Sequence, residues 1–141
     1  MRKRSQSRDW ALKILYQVEI ARKPAAEVCD DFLAQQENKD AETIEFARYL
    51  ALGTRENLDA IDQKISQHAT NWQLKRMAVI DKNILRLGVF ELDYASGVPP
   101  KVVINESIEL AKKYGDIDSG KFINGVLDKI HKTQPPQQEK T

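Results

Sequence analysis

Between Trp72 and Ala95 apolar side chains stand at nearly every angle of a helical wheel. Met77, Val79, Ile80, Ile84, Leu85, Leu87, Val89, Phe90 and Leu92 spread around most of the circumference, whereas an ordinary surface helix carries one apolar stripe about 100° wide. Such a segment predicts a central helix covered on several sides, with other helices gathered around it. Charged residues interrupt every apolar run in the chain well short of the roughly 20 residues that a membrane span needs, so no part of it is expected to cross a membrane.

The flanking sequence supplies those other helices. Ser96-Gly97-Val98-Pro99-Pro100 breaks the pattern, because two prolines fix φ and remove two donors. Upstream, from Asp9, Ala11, Ile14, Leu15, Val18 and Ala21 follow the i, i+3, i+4, i+7 rule as far as Pro24. A shorter stripe uses Val28, Cys29, Phe32 and Leu33, and Gln35 to Lys39 is a polar connection before Asp40, a helix cap. Ile44, Ala47, Leu50, Ala51, Leu58, Ile61 and Ile65 then keep one helical period from about Asp40 to His68, a helix roughly 40 Å long with a bend expected at Gly53. After the double proline, Val103, Ile104, Ile108, Leu110 and Ala111 lead to Tyr114, with Gly115 placed for a left-handed cap. Asp118 or Ser119 caps a last helix through Phe122, Ile123, Val126, Leu127 and Ile130. Asn124-Gly125 lacks the alternating flanks of a hairpin and stays helical.

The expected fold is therefore all-α, with six to seven helices in two packed subdomains, each like a three-helix bundle. These span residues 9–68 and 72–132 of one domain, after a basic flexible arm over 1–8 and before a disordered tail over 133–141.

Chemistry is scarce. Cys29 is the only cysteine and His68 and His131 the only histidines, far too few and too scattered for a zinc site, so neither a metal nor a cofactor is expected. A reducing cytoplasm suits one thiol. Gly115 to Lys121 reads G-x-x-x-x-G-K, but Phe122 stands where a hydroxyl should hold magnesium, and Asp116 and Asp118 would repel phosphate. No catalytic set of nucleophile and base is apparent. The net charge of +1 is uninformative, but its distribution is not. Arg2, Lys3, Arg4 and Arg8 put four cations ahead of a helix bearing Trp10 and Tyr16, an arm suited to nucleic-acid phosphates. Asp30, Asp31, Glu37, Asp40, Glu42 and Glu45 form an acidic stretch read as a solvated face.

Four blocks carry a resemblance: Arg8-Asp9-Trp10-Ala11-Leu12-Lys13-Ile14-Leu15-Tyr16, Ile84 to Leu92, Val98 to Lys112 with its Ile-Asn-Glu-Ser-Ile-Glu-Leu-Ala-Lys, and Lys121-Phe122-Ile123-Asn124-Gly125-Val126-Leu127-Asp128. Over about Arg4 to Ile130 the chain resembles the NusB transcription antitermination factors. The resemblance implies a helical fold of two subdomains and pairing with NusE, which is also a small-subunit ribosomal protein. It further implies that the pair binds single-stranded boxA RNA in nascent ribosomal RNA transcripts, within an RNA polymerase antitermination complex that ignores terminators.

Matched residue by residue, it implies that Arg4 and Arg8 contact phosphates and that Tyr16 lies near the RNA. Arg86, Lys121 and Phe122 would also contact RNA, and Asp81 and Asp118 would lie nearest NusE. It also implies self-association through the RNA face when RNA is absent. On the residues alone Arg86 would reach the surface or pair with an acid such as Asp81, and Phe122 would be core. Two other readings stay open: a module acting with a ribosomal RNA methyltransferase, for which this length leaves no cofactor-binding domain, and a protein-only scaffold.

Overall fold

A computed structural model describes residues 2–69, 74–95 and 97–133. The described residues form seven α-helices and no strand: α1 (Lys3–Ala21), α2 (Ala25–Ala34), α3 (Ala41–Glu56), α4 (Leu58–His68), α5 (Val79–Tyr94), α6 (Pro100–Tyr114) and α7 (Ser119–Thr133). A single 3-10 turn, Leu74–Arg76, precedes α5. They divide into two compact units, Met1–Asn57 and Leu58–Thr141. Trp72, Ser96 and the expected tail beyond Thr133 lie outside the described residues.

In the first unit α1 packs against both α2 and α3. Leu12, Ile14, Leu15, Cys29, Ala47, Leu50 and Ala51 are buried at its centre, and the edge of Trp10 meets Phe32 at 6.4 Å between ring centres. The helix expected to start at Asp9 starts at Lys3, so Arg4 and Arg8 sit on its first two turns rather than on a flexible arm. Tertiary bonds explain the difference. The Ser7 hydroxyl, fully buried, donates to the Thr43 carbonyl at 2.7 Å, and Lys3 pairs with Asp40 at 3.1 Å and Glu42 at 3.6 Å, which ties this turn to α3. Asp40 caps α3 as expected, its carboxylate accepting the Thr43 N–H at 3.0 Å and the Thr43 hydroxyl at 2.8 Å. α1 ends at Arg22, which takes the left-handed conformation at φ 55° before Pro24.

The third stripe is not one long helix. It breaks at Asn57, whose side-chain amide donates to the Gly53 carbonyl at 2.8 Å. Apolar periodicity runs on through the break, which is why periodicity alone missed it. The segment after it, α4, packs on α5 and α7, so the boundary between the units falls at Asn57 and not at the joint before Trp72.

In the second unit every residue from Asn83 to Leu92 on α5 is buried, as its all-round apolar character requires. α6, α7 and α4 surround it. The approach is closest at Gly88, where an added Cβ would meet Leu127 Cδ1 at 2.9 Å and Ser107 Oγ at 3.1 Å. Pro99 and Pro100 start α6, and α7 runs straight through Asn124-Gly125. Gly115 does not adopt the left-handed cap expected of it: φ is −89° and ψ −171°. Its missing side chain answers a steric demand instead, since a Cβ there would lie 2.5 Å from the Ser119 hydroxyl.

Candidate functional site

The residues singled out from the sequence fall into separate places. Lys121 and Phe122, on the first turn of α7, share one cleft of about 570 Å³ with Asp81 and Asp118; Arg76, Met77, Ala78, Asp116 and Ser119 complete its lining. The turn before α7 builds one wall. There the Asp116 carboxylate accepts the Asp118 N–H at 3.0 Å, and the Ser119 hydroxyl accepts the Asp116 N–H at 3.0 Å. These bonds fold Gly115 to Lys121 into a turn between helices, and they leave the Asp118 side chain exposed.

Asp81 stands on the first turn of α5, and its Oδ1 is buried with no hydrogen-bond partner. Burial pushes its carboxyl above the usual carboxylate range; a hydrogen bond with Ser119 pulls it down and the negative charge of Asp116 raises it again. A carboxyl shifted upward on folding favours the protonated form, so it costs stability as pH rises from the ordinary carboxylate value through the raised one. Asp81→Asn is accordingly expected to raise the urea midpoint at pH 7, with the gain shrinking as pH falls to about 3, where the unfolded carboxyl is also protonated. An unchanged or lower midpoint at pH 7 would refute this account of the site.

Arg4 and Arg8 come together over a residue the sequence reading passed over. The Arg4 guanidinium lies 3.9 Å above the Phe46 ring and that of Arg8 lies 5.7 Å from it. Arg4 is exposed, while Arg8 is only 3% exposed. Buried so deeply, Arg8 supports the packing of α1 on α3 rather than presenting a mobile charge. Tyr16 is 39% exposed and lines a hollow of about 200 Å³ between α1 and α2 with Ile20, Lys23 and Asp31.

Arg86 is not at the surface. Its side chain is 8% exposed, and it grips Asp62 of α4 with two parallel bonds, Nε to Oδ1 at 2.7 Å and Nη2 to Oδ2 at 2.9 Å. The expected partner Asp81 is not the one used, because α4, separated from α3 at Asn57, brings Asp62 against this face of α5. A guanidinium committed in this way has little left to offer a phosphate. The residues missed altogether are Phe46, Tyr49 and Asp62. Phe46 and Tyr49 were legible as an i, i+3 aromatic pair lying off the Ala47, Leu50 core stripe, whereas no local signal marked Asp62 as the partner of a residue 24 positions away.

The described residues contain no group of three or more His, Cys, Asp or Glu arranged for a metal ion, and no helix among them is long and apolar enough to cross a membrane. What the geometry defines is an all-helical protein that brings acidic, basic and aromatic side chains together in a cleft at the starts of α5 and α7. Comparison with known proteins narrows that class. The model of the NusB family matches residues 5–132. The chain is 45% identical over 130 residues to the transcription antitermination protein NusB of Myxococcus xanthus, spanning 90% of this chain and 93% of that protein. It is 40% identical to that of Pseudothermotoga lettingae over 99% of both. Among solved structures, T. maritima NusB superposes with a TM-score of 0.88 at 39% identity, covering 96% of this chain and 94% of that one. A chain from the structure of antitermination factors NusB and NusE in complex with dsRNA superposes with a TM-score of 0.87 at 31% identity, covering 95% and 99%.

The chain belongs to the NusB family. It is a transcription antitermination factor and not an enzyme.

Proposed function

We propose that this protein pairs with a NusE-type small-subunit ribosomal protein and that the pair binds single-stranded boxA-type RNA in nascent ribosomal RNA transcripts, helping RNA polymerase pass terminators in the cytoplasm. The observation that carries this reading is the match, over 95% of the chain, to a protein solved together with NusE and RNA. The chemistry of the surfaces supports it. Lys121 is exposed and Phe122 half-buried at the mouth of one cleft, a cation beside an aromatic face, which suits a phosphate and an unpaired base. Arg4 supplies a second phosphate contact, and Tyr16 lies beside the RNA path. Asp81 and Asp118 face NusE, and the same RNA-binding face mediates self-association when RNA is absent. Arg8 and Arg86 hold these surfaces in shape from within.

The relative was solved with duplex RNA, which offers shape and phosphates; a single strand offers bases as well. A fluorescence titration therefore uses a boxA-type single strand, a scrambled strand of equal length and a duplex, each with and without NusE, across a salt series. The boxA strand should bind most tightly, and more tightly still with NusE. Arg4→Ala should weaken all strands about equally and reduce the salt slope by about 0.7, the value of one phosphate contact on a single strand. Equally weak binding to every RNA in every condition would overturn the reading.

A further inference from the structure

We infer that α3 supplies part of the RNA-binding surface: Phe46 holds the Arg4 guanidinium ready for a phosphate, and Tyr49 offers its ring to the neighbouring unpaired base. This rests on the RNA-binding reading above and extends it to a helix to which neither sequence motif nor resemblance assigned a role. Three observations carry it. The Arg4 guanidinium carbon lies over the Phe46 ring, 3.9 Å from its centre. Phe46 in turn stacks with Tyr49, the ring centres 6.1 Å apart and the planes 23° apart. Tyr49 is 45% exposed although it is a large aromatic residue, so a cation, a ring and a partly exposed ring follow one another in the first unit.

The neighbouring charges favour this use over an internal ion pair. Asp40 and Glu42, at the start of α3, both pair with Lys3. Arg4 has no carboxylate at ion-pair distance among the described residues, and its contact is with the ring. A guanidinium held over a ring, with no carboxylate taking its N–H groups, has them for an oxyanion, the group that arginine binds in bidentate fashion. A partly exposed ring stacked on Phe46 suits a base one nucleotide away, because stacking on an aromatic side chain accepts any base. Phe46 acts here as a positioning residue and Tyr49 as a contact.

The test measures binding of a labelled boxA-type single-stranded RNA, with NusE present, across a salt series. It uses the full chain and its Phe46→Leu, Tyr49→Ala and Tyr49→Phe variants, with Arg4→Ala for reference. Tyr49→Ala is expected to bind about five- to tenfold more weakly with an unchanged salt slope, and Tyr49→Phe to bind like the parent, since stacking needs the ring and not the hydroxyl. Phe46→Leu is expected to lower the salt slope by about 0.7, as Arg4→Ala does, and adding Phe46→Leu to Arg4→Ala should weaken binding little further. Thermal melts check that each variant is folded; Tyr49 is exposed enough to be truncated safely, so the Tyr49 arm decides the matter even if Phe46→Leu melts early. A parent that binds while Tyr49→Ala and Phe46→Leu bind just as well overturns this inference alone. A parent that binds no RNA overturns the reading beneath it as well.

Discussion

Asp62→Ala is expected to destabilise the protein by about 3 kcal/mol, the cost of removing one member of a buried, doubly hydrogen-bonded ion pair. At this chain length that amounts to a fall in Tm of roughly 10 °C. The Arg86 side chain is 8% exposed, so its two bonds to Asp62 are made largely out of water, and the Asn83 side-chain oxygen at 3.3 Å is a neutral acceptor among its other contacts. The reverse change should cost less. Asp62 is 22% exposed, so after Arg86→Met water can reach the carboxylate while the methionine fills much of the vacated volume. The order of the two variants thus separates a structural pair from an RNA contact. If Arg86 met phosphate instead, Arg86→Met would reduce the salt slope of RNA binding; we expect the slope to stay as it is. An Asp62→Ala melt within a degree or two of the parent would sink this assignment.

Gly88→Val should cost about 2–3 kcal/mol, the usual range for forcing extra methyl groups into a filled core. The contacts given for the missing Cβ, 2.9 Å to Leu127 Cδ1 and 3.1 Å to Ser107 Oγ, leave no room for a branched side chain. Neither neighbour can retreat freely: Leu127 is fully buried, and the Ser107 hydroxyl donates to the Val103 carbonyl at 2.9 Å. Gly88→Ala should cost less, because an alanine in mid-helix recovers up to about 1 kcal/mol of helix propensity. Pairing Gly88→Val with Leu127→Ala should lose less stability than the two single changes added together, since one makes the space the other needs. Urea unfolding of the four proteins measures this, and strict additivity would mean that the two positions do not share a boundary.

The sequence showed the helices more clearly than their ends. The all-round apolar character of α5 was readable at once, and so were the double proline before α6 and the cap at Asp40, because each is a local property of consecutive residues. The start of α1 was not. Residues 1–8 read as a flexible arm until Ser7 meets the Thr43 carbonyl, 36 positions along the chain. The break at Asn57 was hidden for a related reason: the apolar period continues across it while the two helices pack against different partners. Among the candidate site residues, Lys121, Phe122, Asp81 and Asp118 share a cleft, although the resemblance had assigned the first two to RNA and the last two to NusE. Arg86 pairs with an acid, one of the two readings its sequence setting allowed, but with Asp62 and not Asp81, because a partner 24 positions away is not visible in a sequence.

The division after Asn57 also bears on how the molecule is made. All partners of the first unit's core, from Ser7 and Trp10 to Thr43 and Leu50, are present once 57 residues have left the ribosome. Helical units with such local contacts close in microseconds to milliseconds, whereas synthesis adds only about 5–20 residues each second. The N-terminal bundle therefore has seconds in which to assemble before α6 and α7 exist to cover the apolar sides of α5. Synthesis order thus leaves α5, buried on all sides in the finished fold, with only the 38 residues from Ala95 to Lys132 between its end and the completion of α7.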